Sequence, residues 1–174
     1  MDAGRLVFVD EAGISVAESR RRGWAPKGVT PLVERPSRGR RINLIGAIAL
    51  DGPRALKTVQ GYVNGDHFVA FLREDLGPCL NPGDIVVMDS PSLHKVEGVQ
   101  EALAERGASA LYLPAYSPEL NPIEMTWAWC KRLIRDCPPR KLKRLLARIL
   151  EVWAGVGADL CEGWLKHCGY AVST

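Results

Sequence analysis

Residues 85–89 read Ile85-Val86-Val87-Met88-Asp89, four apolar residues closed by a carboxylate, and the same pattern stands near the start as Leu6-Val7-Phe8-Val9-Asp10. Short apolar runs bounded by polar or turn residues are strands. Three more runs of β type lie at Ile42–Leu50, Leu56–Val63 and, briefly, Ala110–Leu113. The two central ones are separated by Asp51-Gly52-Pro53-Arg54, a turn signal that predicts an antiparallel hairpin. Hairpin pairing first, then strands alternating with helical patterns, predict an α/β architecture with a mixed sheet flanked by helices.

The helical patterns have their own punctuation. Asn64 or Asp66 caps a helix through about Leu76, with Phe68, Phe71 and Leu72 at core-facing spacing. A second runs from Val96 to about Arg106. Asn121-Pro122 is a stronger start, because Asn caps free N–H groups and Pro suits the first helical turn. That helix is expected to reach Asp136, stopped by Pro138-Pro139. The last clear helix carries Leu142, Leu145, Leu146, Ile149, Leu150 and Trp153 on one stripe.

With 174 residues and 47% hydrophobic content, the chain is expected to form a single domain over 1–174 around one core. Its net charge of +3 permits an anionic partner without demanding one. The distribution says more. Basic residues bunch in SRRRGWAPKG (19–28), RPSRGRR (35–41) and RKLKRLLAR (140–148), three patches suited either to a phosphate track or to solvated faces. Cys79, Cys130, Cys137, Cys161 and Cys168 form no CxxC pair, which argues against a disulfide framework or a zinc site. No leader-like start and no membrane-length apolar segment is present in the sequence, so a cytoplasmic protein is expected.

Asp10 and Asp89 each close an apolar run, and Glu124 lies inside SPELNPIE (117–124), at the start of the helix opened by Asn121-Pro122. Each acid alone has an ordinary reading: the two Asp mark where strands leave the core, and Glu124 completes a capping box with Asn121. Together they suggest more. Carboxylates brought together from adjacent strand ends repel unless a proton or a cation intervenes. Hard oxygen ligands without clustered His or Cys favour Mg²⁺ or Mn²⁺, and a pair of such ions suits phosphoryl transfer on nucleic acid.

The words VFVDEAG (7–13), GWAPKGVTP (23–31), VVMDSPSLHK (86–95) and LPAYSPELNPIEMTWAWCKR (113–132) make the chain resemble the catalytic domain of bacterial insertion-sequence transposases of the Tc1/mariner superfamily. The last is the most specific, being long and ordered. The resemblance covers about 6–135, leaving 138–168 as a C-terminal helical part. Between Asp89 and Glu124 lie 34 residues, the spacing the resemblance leads one to expect. It implies an RNase H-like fold, with Asp10, Asp89 and Glu124 as a metal-binding DDE triad holding two Mg²⁺ or Mn²⁺ ions. It also implies double-stranded DNA as partner, a homo-oligomer on that DNA, and cleavage and strand transfer at the ends of a mobile element.

His94 matches the His of the family motif and is an accessory candidate with Ser90 and Asn121. Arg20, Arg21, Arg22, Trp24, Lys27, Arg38, Arg40, Arg41 and Lys95 are the candidate DNA contacts. Trp127 and Trp129 point to different helix faces, at least one into the core. Two features depart from the family pattern. Ser90-Pro91 stands where Asn usually follows the second Asp, and Pro91 removes a backbone donor. The first catalytic strand begins within a few residues of Met1, with no helix-turn-helix module before it. End recognition is therefore expected from a separate helix-turn-helix module or a full-length transposase. A general RNase H-like nuclease and a catalytically decayed fragment that binds DNA or transposase are the rival readings.

Overall fold

The computed structural model describes residues 2–16, 26–29, 40–89, 98–139 and 141–172. Five strands, β1 (Leu6–Ser15), β2 (Arg41–Ala49), β3 (Gly52–Val59), β4 (Ile85–Met88) and β5 (Ser109–Tyr112), form one sheet in the order β3-β2-β1-β4-β5. The pairs β1–β2 and β2–β3 are antiparallel, and β1–β4 and β4–β5 are parallel. This is the expected mixed sheet.

Alternation along the strands sends side chains to opposite faces. Leu6, Phe8, Ala12 and Ile14 of β1 pack with α3 (Pro122–Asp136), α4 (Leu142–Ala154) and α5 (Ala158–His167). Val7 and Val9 pack on the other face with α1 (Gly65–Ala70), its π-helical continuation Phe71–Leu76, and α2 (Val99–Ala104). Both faces are covered. The central strands are apolar for that reason.

Several boundaries differ from the sequence reading. β1 does not end at Asp10: it continues to Ser15, because Ala12 and Ile14 stay buried while Glu11, Gly13 and Ser15 are half-exposed. The hairpin turn is Leu50-Asp51, with Ala49 paired to Gly52, so Pro53 lies inside β3. β3 is an edge strand, and a register shift at Ala47/Ile48 accompanies the proline, whose missing N–H costs no central ladder bond. Asn64 does cap its helix, its side chain accepting from His67 N–H at 2.9 Å. The α4 stripe buries Leu145, Ile149 and Val152, while Leu150 is 49% exposed and turns away from the core. α5 is a separate helix that the leucine stripe did not announce. All five cysteines are free thiols.

Candidate active site

The parallel pairing of β1 with β4 ends at Val9↔Met88, so Asp10 and Asp89 take the next position along the two neighbouring strands. Glu124 arrives from α3, in its first turn. Asp89 and Glu124 line a cleft of about 350 Å³ whose wall is the turn 113–118, with Asn121 at its base. Asp10 sits deeper, only 8% exposed, on the sheet face covered by α3. The expectation that Asp10 stands at a strand end is thus corrected: it stands within β1, on a buried face.

That position decides its protonation. Burial, then the charge of Glu124, push the Asp10 carboxyl up to about 8; the backbone N–H of Glu11 pulls the other way, and Glu11 and Asp89 add smaller upward pushes. Asp10 therefore senses both other acids, across three separate elements. Without a cation it holds its proton at neutral pH, which is how like charges share a confined site. Its Oδ2 accepts a hydrogen bond from Trp127 Nε1 at 3.1 Å. Among the described residues no three His, Cys, Asp or Glu side chains are gathered into a ready metal cage.

The turn that presents Glu124 is held from several sides. Pro118–Leu120 forms a 3-10 turn, and Asn121 N–H donates to Pro118 O at 3.0 Å. That N–H is consequently taken, so Glu124 forms no capping box with Asn121. Nor does the Asn121 side chain cap α3 as expected; its Oδ1 is buried without a partner in the protein. Tyr170 donates its hydroxyl to Leu120 O at 2.7 Å, and its ring meets Phe8 edge-on with centroids 4.9 Å apart. The C-terminal segment thereby braces the turn against β1. Tyr116, on the cleft wall, is fully exposed and has a positive φ of 59°, a backbone state unfavourable for a side chain of its size.

An all-oxygen donor set with an orphaned buried carbonyl oxygen, that of Asn121, fits a hard divalent cation and its hydration shell. Of the other candidates, Lys27, Arg40 and Arg41 are exposed. Arg41 pairs with Ser15, five residues beyond Asp10 along β1, about 17 Å at the strand rise per residue. Arg40 and Arg41 share a cleft of about 570 Å³ with Lys143 of α4. Arg20, Arg21, Arg22, Trp24, Arg38, Ser90, Pro91, His94 and Lys95 lie outside the described residues. Trp127 is core, 2% exposed, and Trp129 is half-buried against Trp164. The Trp127 contact to Asp10 escaped the sequence reading; only its i, i+3 spacing from Glu124, on one helix face, hinted at it.

No curated protein sequence matches the chain. Solved structures do. The Mos1 mariner paired-end complex with Mn superposes with a TM-score of 0.81 at 18% identity over 95% of this chain and 52% of the other. The Mos1 strand transfer complex gives 0.80, again at 18% identity, 95% and 52%. The catalytic domain of Mos1 mariner transposase gives 0.67 at 15% identity, over 95% of this chain and 77% of that one. The likeness is one of fold, the RNase H-like sheet expected above, and the chain spans about half the length of the transposase chains in those two complexes. The sequence profile of the DDE superfamily endonucleases matches residues 5–146, a stretch holding all three acids, and the chain belongs to that family.

Proposed function

We propose that this chain is the catalytic domain of a Tc1/mariner-type transposase of the bacterial insertion-sequence branch, cutting DNA at element ends and joining the freed 3′-hydroxyls to target DNA. The observation that carries this reading is the gathering of three acids in a DDE endonuclease: Asp89, just past β4, and Glu124 of α3 line one cleft, and Asp10 of β1 lies buried close enough to feel the charge of both. Asp10, Asp89 and Glu124 would hold two Mg²⁺ or Mn²⁺ ions, and the buried, unpartnered Asn121 Oδ1 would accept a hydrogen bond from water at the site. The chemistry such ions supply is activation of the attacking oxygen and stabilisation of the leaving one. In cleavage, water oxygen attacks phosphorus and the P–O3′ bond breaks, leaving a 3′-hydroxyl and a 5′-phosphate. In joining, that 3′-oxygen attacks a target phosphodiester and displaces the target's own 3′-oxygen.

The remaining residues bind and orient. Arg41 ends the β1–β2 ladder opposite Ser15 and Arg40 directly precedes it; both would contact the phosphates of a duplex entering the cleft, contacts that position DNA without reading sequence. Lys27 and, on the sequence alone, Arg20, Arg21, Arg22, Arg38 and Lys95 are assigned further phosphate contacts, and Trp24 a contact to a base. His94 and Ser90 follow Asp89 closely enough in sequence to contact the scissile phosphate. Recognition of element ends belongs to a separate helix-turn-helix module or a full-length transposase, and the working unit is a homo-oligomer on DNA. Among the described residues no helix is long and apolar enough to cross a membrane.

The deciding experiment offers the purified chain donor and target duplexes with Mg²⁺ or Mn²⁺. Metal-dependent joining supports the proposal. Cutting without joining would leave a general nuclease, and DNA binding without either would leave a decayed fragment.

A further inference from the structure

Trp127 is set into the site by three independent features. Its Nε1–H donates to Asp10 Oδ2 at 3.1 Å, between residues 117 positions apart in the chain and both buried. Its ring stacks on Trp153 of α4, with centroids 5.5 Å apart and planes 28° from parallel. The space it fills exists because position 46, the partner of Asp10 across the β1–β2 ladder, is glycine. A Cβ there would lie 2.5 Å from Trp127 Cη2 and 3.0 Å from Trp153 Cη2. The ring is therefore clamped on its far edge by β2 and on its face by α4. Its one polar atom is directed at one oxygen of one acid.

From this geometry we propose that Trp127 is a positioning residue for metal binding, its indole N–H fixing the Asp10 carboxylate so that Oδ1 is presented to the cation. The proposal rests on the metal-dependent reading above. A carboxylate within a strand on a buried face has two oxygens and, besides the Glu11 backbone N–H, few polar neighbours to fix it, and a rotation would carry the ligating oxygen away from the cleft. Holding Oδ2 on a rigid donor removes that freedom before the ion arrives. Groups that orient a metal ligand in this way are worth about 10–100-fold in metal affinity. Glu124 lies one turn before Trp127 on α3, so a single helix face supplies both an acid of the site and the donor that orients another.

The test is equilibrium binding of Mn²⁺ to the purified chain, with free Mn²⁺ counted by paramagnetic resonance. Wild type should bind Mn²⁺ and Asp10→Asn should lose that binding. Trp127→Phe, which keeps an aromatic ring and removes the N–H, should weaken Mn²⁺ binding about 10-fold or more. Trp153→Phe, which disturbs the stack and spares the hydrogen bond, should stay short of the roughly 10-fold loss that marks removal of an orienting group. If wild type binds no Mn²⁺ in an Asp10-dependent way, the metal reading fails and this inference with it. If that binding is present and Trp127→Phe matches wild type, or Trp153→Phe is equally weakened, the inference alone is overturned. Should Trp127→Phe not fold, the indole ¹⁵N–H resonance of Trp127 in the wild-type chain decides. It should move on Mg²⁺ addition in wild type and stay in Asp10→Asn; a resonance indifferent to Mg²⁺ in wild type overturns the proposal.

Discussion

Asp10 and Gly46 face each other across the β1–β2 ladder, and the missing side chain of the glycine makes room for the tryptophan that hydrogen-bonds the aspartate. A central strand would ordinarily be weakened by glycine. Here the vacancy is filled by Trp127 and Trp153 from the helical layer, so the loss in strand propensity is offset by aromatic burial.

Gly46→Ala should therefore destabilise the fold. A methyl group 2.5 Å from Trp127 Cη2 must push the ring or the strand aside. Overpacking of this kind costs about 1–3 kcal/mol. Urea unfolding of the metal-free chain measures it, and a variant as stable as wild type would mean that the aromatic pair yields without strain.

The pH dependence of stability has a definite sign. Asp10 titrates near 3.8 when unexposed to the fold and is pushed up to about 8 within it, chiefly by burial and then by Glu124. Between those values the folded chain holds a proton that the unfolded chain has released, so the Asp10 contribution weakens as pH rises through the window. Below about 4 it is fully present. Asp10→Asn carries no such proton, so melting in a metal chelator should show the variant gaining on wild type from pH 5 to 8. A constant difference across that range would contradict the burial assigned to this carboxyl. Divalent metal should reverse the trend, since binding displaces the proton and tightens as pH rises.

Each acid of the triad should be separable from the fold. Asp10→Asn, Asp89→Asn and Glu124→Gln preserve shape and remove a hard anionic ligand. Glu124→Gln should be the mildest for stability: Asn121 N–H is bonded to Pro118 O, so Glu124 contributes no capping box to lose. Metal-dependent cleavage should be abolished in all three while circular dichroism stays wild-type. Retained cleavage by any folded variant would remove that residue from the ligand set.

How much of this was legible in the sequence depended on the range of the interaction. The runs before Asp10 and Asp89 announced β1 and β4, because strands buried on both faces are apolar throughout. The continuation of β1 was hidden by the acid itself, which interrupts the run although Ala12 and Ile14 resume the buried side. The start of α3 was legible from Asn121-Pro122; that Asn121 would leave its side chain unpaired was not, since the 3-10 turn before it supplies the backbone partner. On α4, Leu150 and Val152 both fit an apolar face, and only docking against the sheet chose Val152. The Asp10–Trp127–Gly46 arrangement joins residues far apart in sequence and has no local signature.

DNA affinity should be electrostatic. Arg40 and Arg41 are exposed beside the basic end of α4, sharing a cleft with Lys143, and guanidinium groups so placed meet phosphates rather than base edges. Binding to random duplex should fall with salt at a log–log slope of about −0.9 per phosphate contacted. Arg40→Ala and Arg41→Ala should each flatten that slope by about one unit, weakening binding similarly for every sequence tested. Replacing Arg20, Arg21 and Arg22 is the parallel test of the first basic patch. Fluorescence anisotropy across a salt series gives the slopes. A salt-independent affinity, or a strong preference for element ends by this chain alone, would place sequence recognition within these residues and overturn the division between cutting here and recognition elsewhere.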